Sequence, residues 1–315
     1  MEFRTTINIP SCSEKIGYKT PVLMLGSCFS DNIGKIMKDD RFSVLANPLG
    51  ILYNPFSVSL LLKRCLNTEL LKSDEVFEDN GVFKSFLFHS SFAAQSHEFM
   101  KERADQSIIT TGNFLKISRF LILTLGTARY YSKNGCIVAN CHKQPRNAFV
   151  ETLATPKECA DEIENIIWEI RKVNPDIFII FTISPVRHLK DGVPGAQQDK
   201  AVLFCALEKL LQIPSTFYFP AYEIMTDELR DYRFYADDMA HPSKQATEYI
   251  YQKFGEVFFT EETKNLSARI RRILLSISHR PMFPESPSYK EFITKTKKEI
   301  EDFAREHPYI NIVCP

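Results

Sequence analysis

Three uninterrupted apolar runs constrain this chain more than any other feature: Pro21 to Leu25 (PVLML), Phe120 to Leu125 (FLILTL) and Ile177 to Ile183 (IFIIFTI). A strand with one wet face alternates apolar and polar side chains. Short continuous runs predict strands buried on both faces, the pattern of a parallel sheet. A weaker run, Thr216 to Phe219, and a short segment around Phe42 to Ala46 predict further strands. Long segments of helical periodicity separate them. Thr155-Pro156-Lys157-Glu158 supplies an N-cap threonine, a proline at the first helical position and a glutamate at the third. Ile163, Ile166, Ile167 and Ile170 follow on one face, and Ala196 to Leu211 and Thr247 to Phe259 carry similar stripes. Strands alternating with helices predict an α/β fold with a parallel sheet of doubly wound type.

Two features lie outside that alternation. Val82 to Phe92 reads as an extra strand or hairpin, and Asn134-Gly135 as the turn joining Tyr130-Tyr131 to Ile137-Val138. Near Thr263 the character changes, from 29 basic against 33 acidic residues before it to 10 against 6 from Lys264 onward. The expected division is therefore a domain over 1–262 and a helical C-terminal extension over 263–315. The extension carries two apolar stripes, Leu266, Ile270, Ile273, Ile277 and then Tyr289, Ile293, Ile300, Phe303. Such stripes either fold back on the domain or pair with a second copy, giving a homo-oligomer through the C-terminal helices.

Composition excludes several function classes. Lysine plus arginine equals aspartate plus glutamate at 39 each, so no global field favours nucleic acid or an anionic membrane. No apolar run is long enough to span a bilayer, and the start lacks the basic-then-apolar pattern of a secretory signal. The expected location is cytoplasmic. The eight cysteines have no regular spacing and read as reduced thiols. Cys136, Cys141 and His142 lie close together, but no motif supplies further ligands. Neither a metal nor an organic cofactor is expected.

In an open parallel sheet, ligands bind beyond the carboxyl ends of the strands. Those ends carry Gly26-Ser27-Cys28, Asn47-Pro48-Leu49-Gly50, Gly126-Thr127-Ala128 and Ser184-Pro185-Val186-Arg187-His188, and Ala236 to Ser243 precedes a helix. A dinucleotide fingerprint fails, because the glycine after Gly26 is Gly34, and no phosphate loop is present. Nucleophilic catalysis fits better. Asp238-x-x-His241 can supply an imidazole that takes a serine proton and a carboxylate that fixes its tautomer. Ser27 would be the serine, its Oγ about 2.6–3.2 Å from His241 Nε2 or looser without ligand, with the Ser27 N–H stabilising an oxyanion. Cys28 is expected to turn to the other side and to lie buried under the helix as a small hydrophobe.

The chain resembles the GSCFA-domain family through Gly26-Ser27-Cys28-Phe29-Ser30, NPLGILYNP at 47–55, FHSSF at 88–92, TLGTA at 124–128, NCHK at 140–143, SPVRH at 184–188 and FYADDMAHPS at 234–243. The resemblance runs from about Phe3 to Phe259. That family is similar in turn to SGNH (GDSL-type) hydrolases. The resemblance implies a three-layer α/β/α sandwich with a mostly parallel, flavodoxin-like sheet and a serine esterase mechanism. It implies Ser27 as nucleophile, Gly50 N–H as a second oxyanion donor, and Asp238 and His241 as partners. The third SGNH block, Gly-x-Asn-Asp, reads Gly126-Thr127-Ala128-Arg129, so its asparagine donor is absent. Thr127, Asn47, Asn140 and His142 are the candidate replacements, and Arg187 and His188 are candidates for substrate binding. The implied function is hydrolysis of a small acyl ester, such as an O-acetylated carbohydrate. The alternative is a non-catalytic carbohydrate- or acyl-ligand-binding module on the same scaffold.

Overall fold

The computed structural model describes residues 4–312; Phe3, at the start of the resembling segment, and Cys314 lie outside them. The chain runs β1 (Val22–Gly26), α1 (Cys28–Asp39), β2 (Val44–Ala46), α2 (Pro55–Asn67), β3 (Phe77–Asp79), β4 (Val82–Lys84) and α3 (His97–Ile117). It continues with β5 (Phe120–Leu125), β6 (Arg129–Lys133), β7 (Cys136–Val138), β8 (Val150–Leu153), α4 (Pro156–Val173), β9 (Phe178–Ile183) and α5 (Gly192–Leu210). The last elements are β10 (Thr216–Tyr218), the short α6 (Ala221–Glu223), α7 (Lys244–Phe258), α8 (Glu261–Ser278) and α9 (Pro287–Glu306).

The three apolar runs become β1, β5 and β9, the central strands of a five-stranded sheet ordered β2-β1-β5-β9-β10. Every pairing in it is parallel. Numbered by sheet strand, this is the flavodoxin-like order 2-1-3-4-5, which reverses direction between β1 and β5. Successive side chains feed opposite faces, as strand geometry requires. Leu23, Leu25, Leu121, Leu123, Ile179 and Phe181 pack with α2, α3, α4 and α5, whereas Val22, Met24, Phe120, Ile122, Phe178 and Ile180 pack with α1, α7, α8 and α9. The result is a three-layer α/β/α sandwich.

Asn134-Gly135 turns the β6–β7 hairpin with both residues at positive φ, and β8 adds on the other side of β6. The expected strand over Val82 to Phe92 is shorter: β4 ends at Lys84 and pairs with β3. Beyond it the chain turns inward, because Phe88 and Phe92 are needed in the core beneath α2 and α3. Thr155 makes the expected capping box with Glu158, while α5 and α7 begin a few residues before the expected starts.

The C-terminal stripes fold back on the domain. Leu266, Ile270, Ile273, Ile300 and Phe303 are buried in the same cluster as β1, α1 and α7. Arg271 fixes α8 to the end of α1 with a bidentate pair, Nε to Asp40 Oδ1 at 2.7 Å and Nη2 to Oδ2 at 2.6 Å. Tyr251 Oη also donates to the buried Asp40, at 3.0 Å.

Candidate active site

The site begins with a glycine that nothing else can replace. Gly26 has φ +136°, and a Cβ there would lie 2.1 Å from the Thr124 carbonyl oxygen. The sharp exit from β1 leads directly into α1, whose N-cap is Ser27. An N-cap side chain folds back onto the first helical amides, and Ser27 Oγ accepts from Phe29 N–H at 3.3 Å. The hydroxyl then donates to Ser184 Oγ at 2.8 Å. Ser27 is only 1% exposed. The next residue, Cys28, opens the helix and projects onto the rim.

His241 meets Cys28, not Ser27. Its Nε2 lies 3.1 Å from Cys28 Sγ, and its Nδ1 lies 2.6 Å from Asp238 Oδ2. The other oxygen of Asp238 accepts the backbone N–H groups of Ala240 and His241, each at 2.9 Å. These N–H groups, with the ring N–H, hold the carboxyl down at about 2. A carboxylate at Nδ1 fixes the proton there and leaves the Nε2 lone pair facing the thiol. The Asp238–His241 arrangement is the expected one, but both expectations for the nucleophile turn are corrected. The N-cap bond draws Ser27 inward, and Cys28 is half-buried on the rim instead of lying in the core.

The remaining candidates separate. Gly50 N–H is spent on the Asn47 carbonyl at 2.8 Å, closing the 47–50 turn, so it is not a free oxyanion donor. Asn47 is a structural clamp: its Oδ1 accepts Gly26 N–H at 2.8 Å, and its Nδ2 donates to Asp31 Oδ1 at 2.7 Å and to the Ser27 carbonyl at 3.3 Å. His142 is also removed from the role. Its Nε2 is bonded to the Ser85 carbonyl at 2.8 Å and its ring packs beside the stacked Phe77–Phe86 pair. Asn140 Oδ1 accepts His142 N–H at 2.8 Å. Thr127 Oγ1 accepts Arg129 N–H at 3.0 Å.

Sequence comparison agrees with this architecture in its extent. The sequence matches the GSCFA family over residues 21–254 and the GSCFA domain protein, C-terminal domain, over residues 268–312. The chain belongs to the GSCFA family. No curated protein matches it. Among solved structures, it is similar to a carbohydrate esterase family 3 from Talaromyces cellulolyticus, at 8% identity and a TM-score of 0.37, covering 80% of this chain and 99% of that one. It is also similar to a mutant acetyl esterase with acetate ion, at 10% identity and a TM-score of 0.33, covering 81% and 99%.

Arg187 and His188 of this GSCFA chain part company at the end of β9. Arg187 is tied to the His241 loop, its N–H to Ala240 O at 3.0 Å and its Nη1 to Met239 O at 3.3 Å. It lines a cleft of about 290 Å³ with Tyr222, Tyr232 and Tyr235. His188 lines a separate cleft of about 170 Å³ with Tyr53, Thr127, Arg129 and Asn140. Tyr53 lies beside the nucleophile turn, since a Cβ at Gly126 would be 3.6 Å from Tyr53 Cδ1 and 3.7 Å from Ser27 Cβ. Its carbonyl also accepts the Gly126 and Thr127 N–H groups at 2.8 and 3.0 Å.

Three residues of the site escaped the sequence reading: Cys28 as the thiol facing His241, Ser184 as the partner of Ser27, and Lys200. The buried Lys200 Nζ donates to Gly126 O at 2.7 Å and Ser184 O at 2.8 Å, clamping the ends of β5 and β9. Burial pushes its ammonium down to about 7, against the opposing pull of Asp199. Ser27 carried a signal for the first two. Serine is a preferred N-cap, and reading it so sends its hydroxyl inward and makes Cys28 the first helical residue.

Proposed function

We propose that this protein is a thiol-dependent acyl hydrolase that cleaves a small acyl ester through a Cys28 thioester. The observation that carries the reading is the Cys28 Sγ–His241 Nε2–Asp238 relay, with contacts of 3.1 and 2.6 Å. His241 Nε2 takes the thiol proton as Sγ attacks the ester carbonyl carbon. The tetrahedral intermediate collapses, the carbon–oxygen bond to the alcohol breaks, and His241 returns the proton to the leaving oxygen. Water then attacks the thioester while His241 accepts its proton. The acid departs and the thiol is restored. Asp238 steadies the imidazolium in both halves. Cys28 N–H, at the first position of α1, bonds to no described residue and is aided by the helix dipole in meeting the oxyanion.

Ser27 in this reading is a structural cap. An O-acetylated carbohydrate suits the tyrosine-lined clefts that Arg187 and His188 line beyond the end of β9. The second reading, a binding module without turnover, is favoured by Ala128 at the third block and by the engaged Gly50 N–H.

One experiment separates them. Wild-type protein and the variants Cys28→Ala and Ser27→Ala are assayed for release of p-nitrophenol from its acetate ester, with intact-mass analysis of quenched samples. The hydrolase reading expects turnover and one added acetyl group in wild type and Ser27→Ala, and neither in Cys28→Ala. Equal turnover in wild type and Cys28→Ala would sink it. Absence of turnover, together with retention of an acyl or sugar ligand, would establish the binding module.

A further inference from the structure

The cleft of about 290 Å³ beyond the end of β9 carries a charge that the acyl-transfer chemistry does not use. Among the described residues its charged lining is Arg187, Arg230 and Asp231. Arg230 Nη2 lies 3.7 Å from Asp227 Oδ1, and Asp231 turns toward Arg233, accepting its backbone N–H at 2.9 Å. Arg187 pairs with no described carboxylate. Its guanidinium bonds only to Met239 O, from Nη1 at 3.3 Å, so Nε and Nη2 keep their donors. Two guanidiniums against one carboxylate leave a single net positive charge in the cleft. That charge balances a carboxylate and falls short of a dianionic phosphate.

The walls add a second requirement. The Arg187 guanidinium lies over the Tyr235 ring, 5.6 Å from its centroid, and the Tyr232 and Tyr235 rings are 6.0 Å apart. A planar guanidinium stacked on a ring keeps its N–H edge free for two parallel bonds to a carboxylate. Tyr222 Oη donates to Gln197 Oε1 at 3.2 Å, which leaves the Gln197 amide N–H groups open. A π-helical turn, Ile224–Glu228, supplies Met225 and Thr226 to the lining, and such turns are frequent at functional sites. Apolar ring faces edged by hydroxyl and amide groups suit a sugar ring. The cleft is also fixed to the imidazole loop. Arg187 N–H donates to Ala240 O at 3.0 Å, and Tyr235 forms an antiparallel bridge with Pro242. A ligand held by Arg187 and Tyr235 therefore rests on the two residues that brace the His241 segment.

We propose that this cleft binds a carboxylate-bearing sugar of the uronate class, its carboxylate on Arg187 and its ring against the tyrosines. That the sugar is the alcohol part of the ester rests on the acyl-transfer reading; the binding does not. The test is equilibrium binding of glucuronate, glucose and glucose 6-phosphate, followed by saturation-transfer NMR, to wild type, Arg187→Gln and Asp231→Asn. Wild type is expected to hold glucuronate at least about tenfold tighter than glucose, as a charge-assisted pair gives, with the preference shrinking at high salt. Arg187→Gln is expected to bring glucuronate to the level of glucose. Asp231→Asn keeps the acceptor for Arg233 N–H and removes the opposing charge, so it is expected to tighten glucuronate by roughly two- to threefold. Misfolding cannot produce that gain. Equal wild-type affinity for glucuronate and glucose would overturn the proposal. So would a glucuronate preference that survives Arg187→Gln, which would put the acid elsewhere, or tighter binding of glucose 6-phosphate than of glucuronate. Absence of Cys28-dependent turnover removes the parent reading alone, because none of these binding outcomes uses the thiol.

Discussion

The thiol of Cys28 offers a quantitative check on how the relay rests. Burial pushes it from the ordinary 9.0 up to about 11; the Asp31 and Asp238 carboxylates add to the effect, and the backbone N–H groups of Cys28 and Phe29 oppose it. At pH 7 this leaves about one thiolate in 10⁴, against about one in 10² for an ordinary thiol. The more basic thiolate is the better nucleophile, by roughly eightfold over two units at a Brønsted slope near 0.45. Cys28 should therefore react with iodoacetamide about tenfold more slowly than a free cysteine at neutral pH. Its rate should climb about tenfold per pH unit until near pH 11. The assay is a timed alkylation series from about pH 5 to pH 10, with the modified peptide quantified by mass spectrometry so that the other cysteines do not interfere. A rate that is high and flat from about pH 5 upward would refute the argument. That profile belongs to a preformed thiolate–imidazolium pair, in which His241 has already taken the proton before substrate arrives. The two resting states differ mechanistically: in the first His241 must act as a general base during attack, and in the second it only stores the charge.

Two further predictions concern the scaffold. Arg271→Ala strands the buried Asp40 carboxylate without its bidentate partner; with Arg271 itself half exposed, the expected loss is about 2–3 kcal/mol by urea denaturation, and an unchanged midpoint would show that the tail is held by its apolar stripes alone. Lys200 has its folded value lowered to about 7 from an ordinary 10.5, so burying its charged form penalises the fold fully below about 7 and the penalty fades as pH rises toward 10.5. Wild-type stability should therefore rise relative to Lys200→Met by about 1 kcal/mol per pH unit across that window, and a pH-independent difference would mean that Asp199 and the carbonyls keep the ammonium fully charged.

The sheet was legible because its central strands need no context. β1, β5 and β9 are buried on both faces, so apolar continuity alone marks them, and the register follows from parallel crossovers. β3, β4 and β8 are short, half-exposed and held by antiparallel partners in small side sheets, so their sequences carry no comparable signal. The helix α3 was equally hard to see. Its buried face is Met100, Ala104, Ile108, Thr111, Gly112 and Leu115, and the small and polar members of that stripe blur the helical period.

The candidate site was legible in the Asp238–His241 contact but not in the side chain that the imidazole meets, and that difference has a local cause. Where the strand ends could be counted, Gly26-Ser27-Cys28, Gly126 and Asp238-x-x-His241 all reached one rim, because the order reversal between β1 and β5 opens a crevice there. Which of two adjacent side chains faces that crevice is decided by a single dihedral choice at the helix start. Ser27 at φ −68°, ψ 172° is still extended, so its hydroxyl can reach back to Phe29 N–H, and Cys28 is then carried to the outside. Hydroxyl chemistry alone suggests the opposite assignment, since serine is the commoner hydrolase nucleophile. The cap competes for the same oxygen, and in this turn it prevails: Ser27 Oγ bonds to Phe29 N–H and Ser184 Oγ, leaving His241 Nε2 for the sulfur. The atom that the imidazole meets at this rim is therefore selected by a helix-capping preference of about 1 kcal/mol.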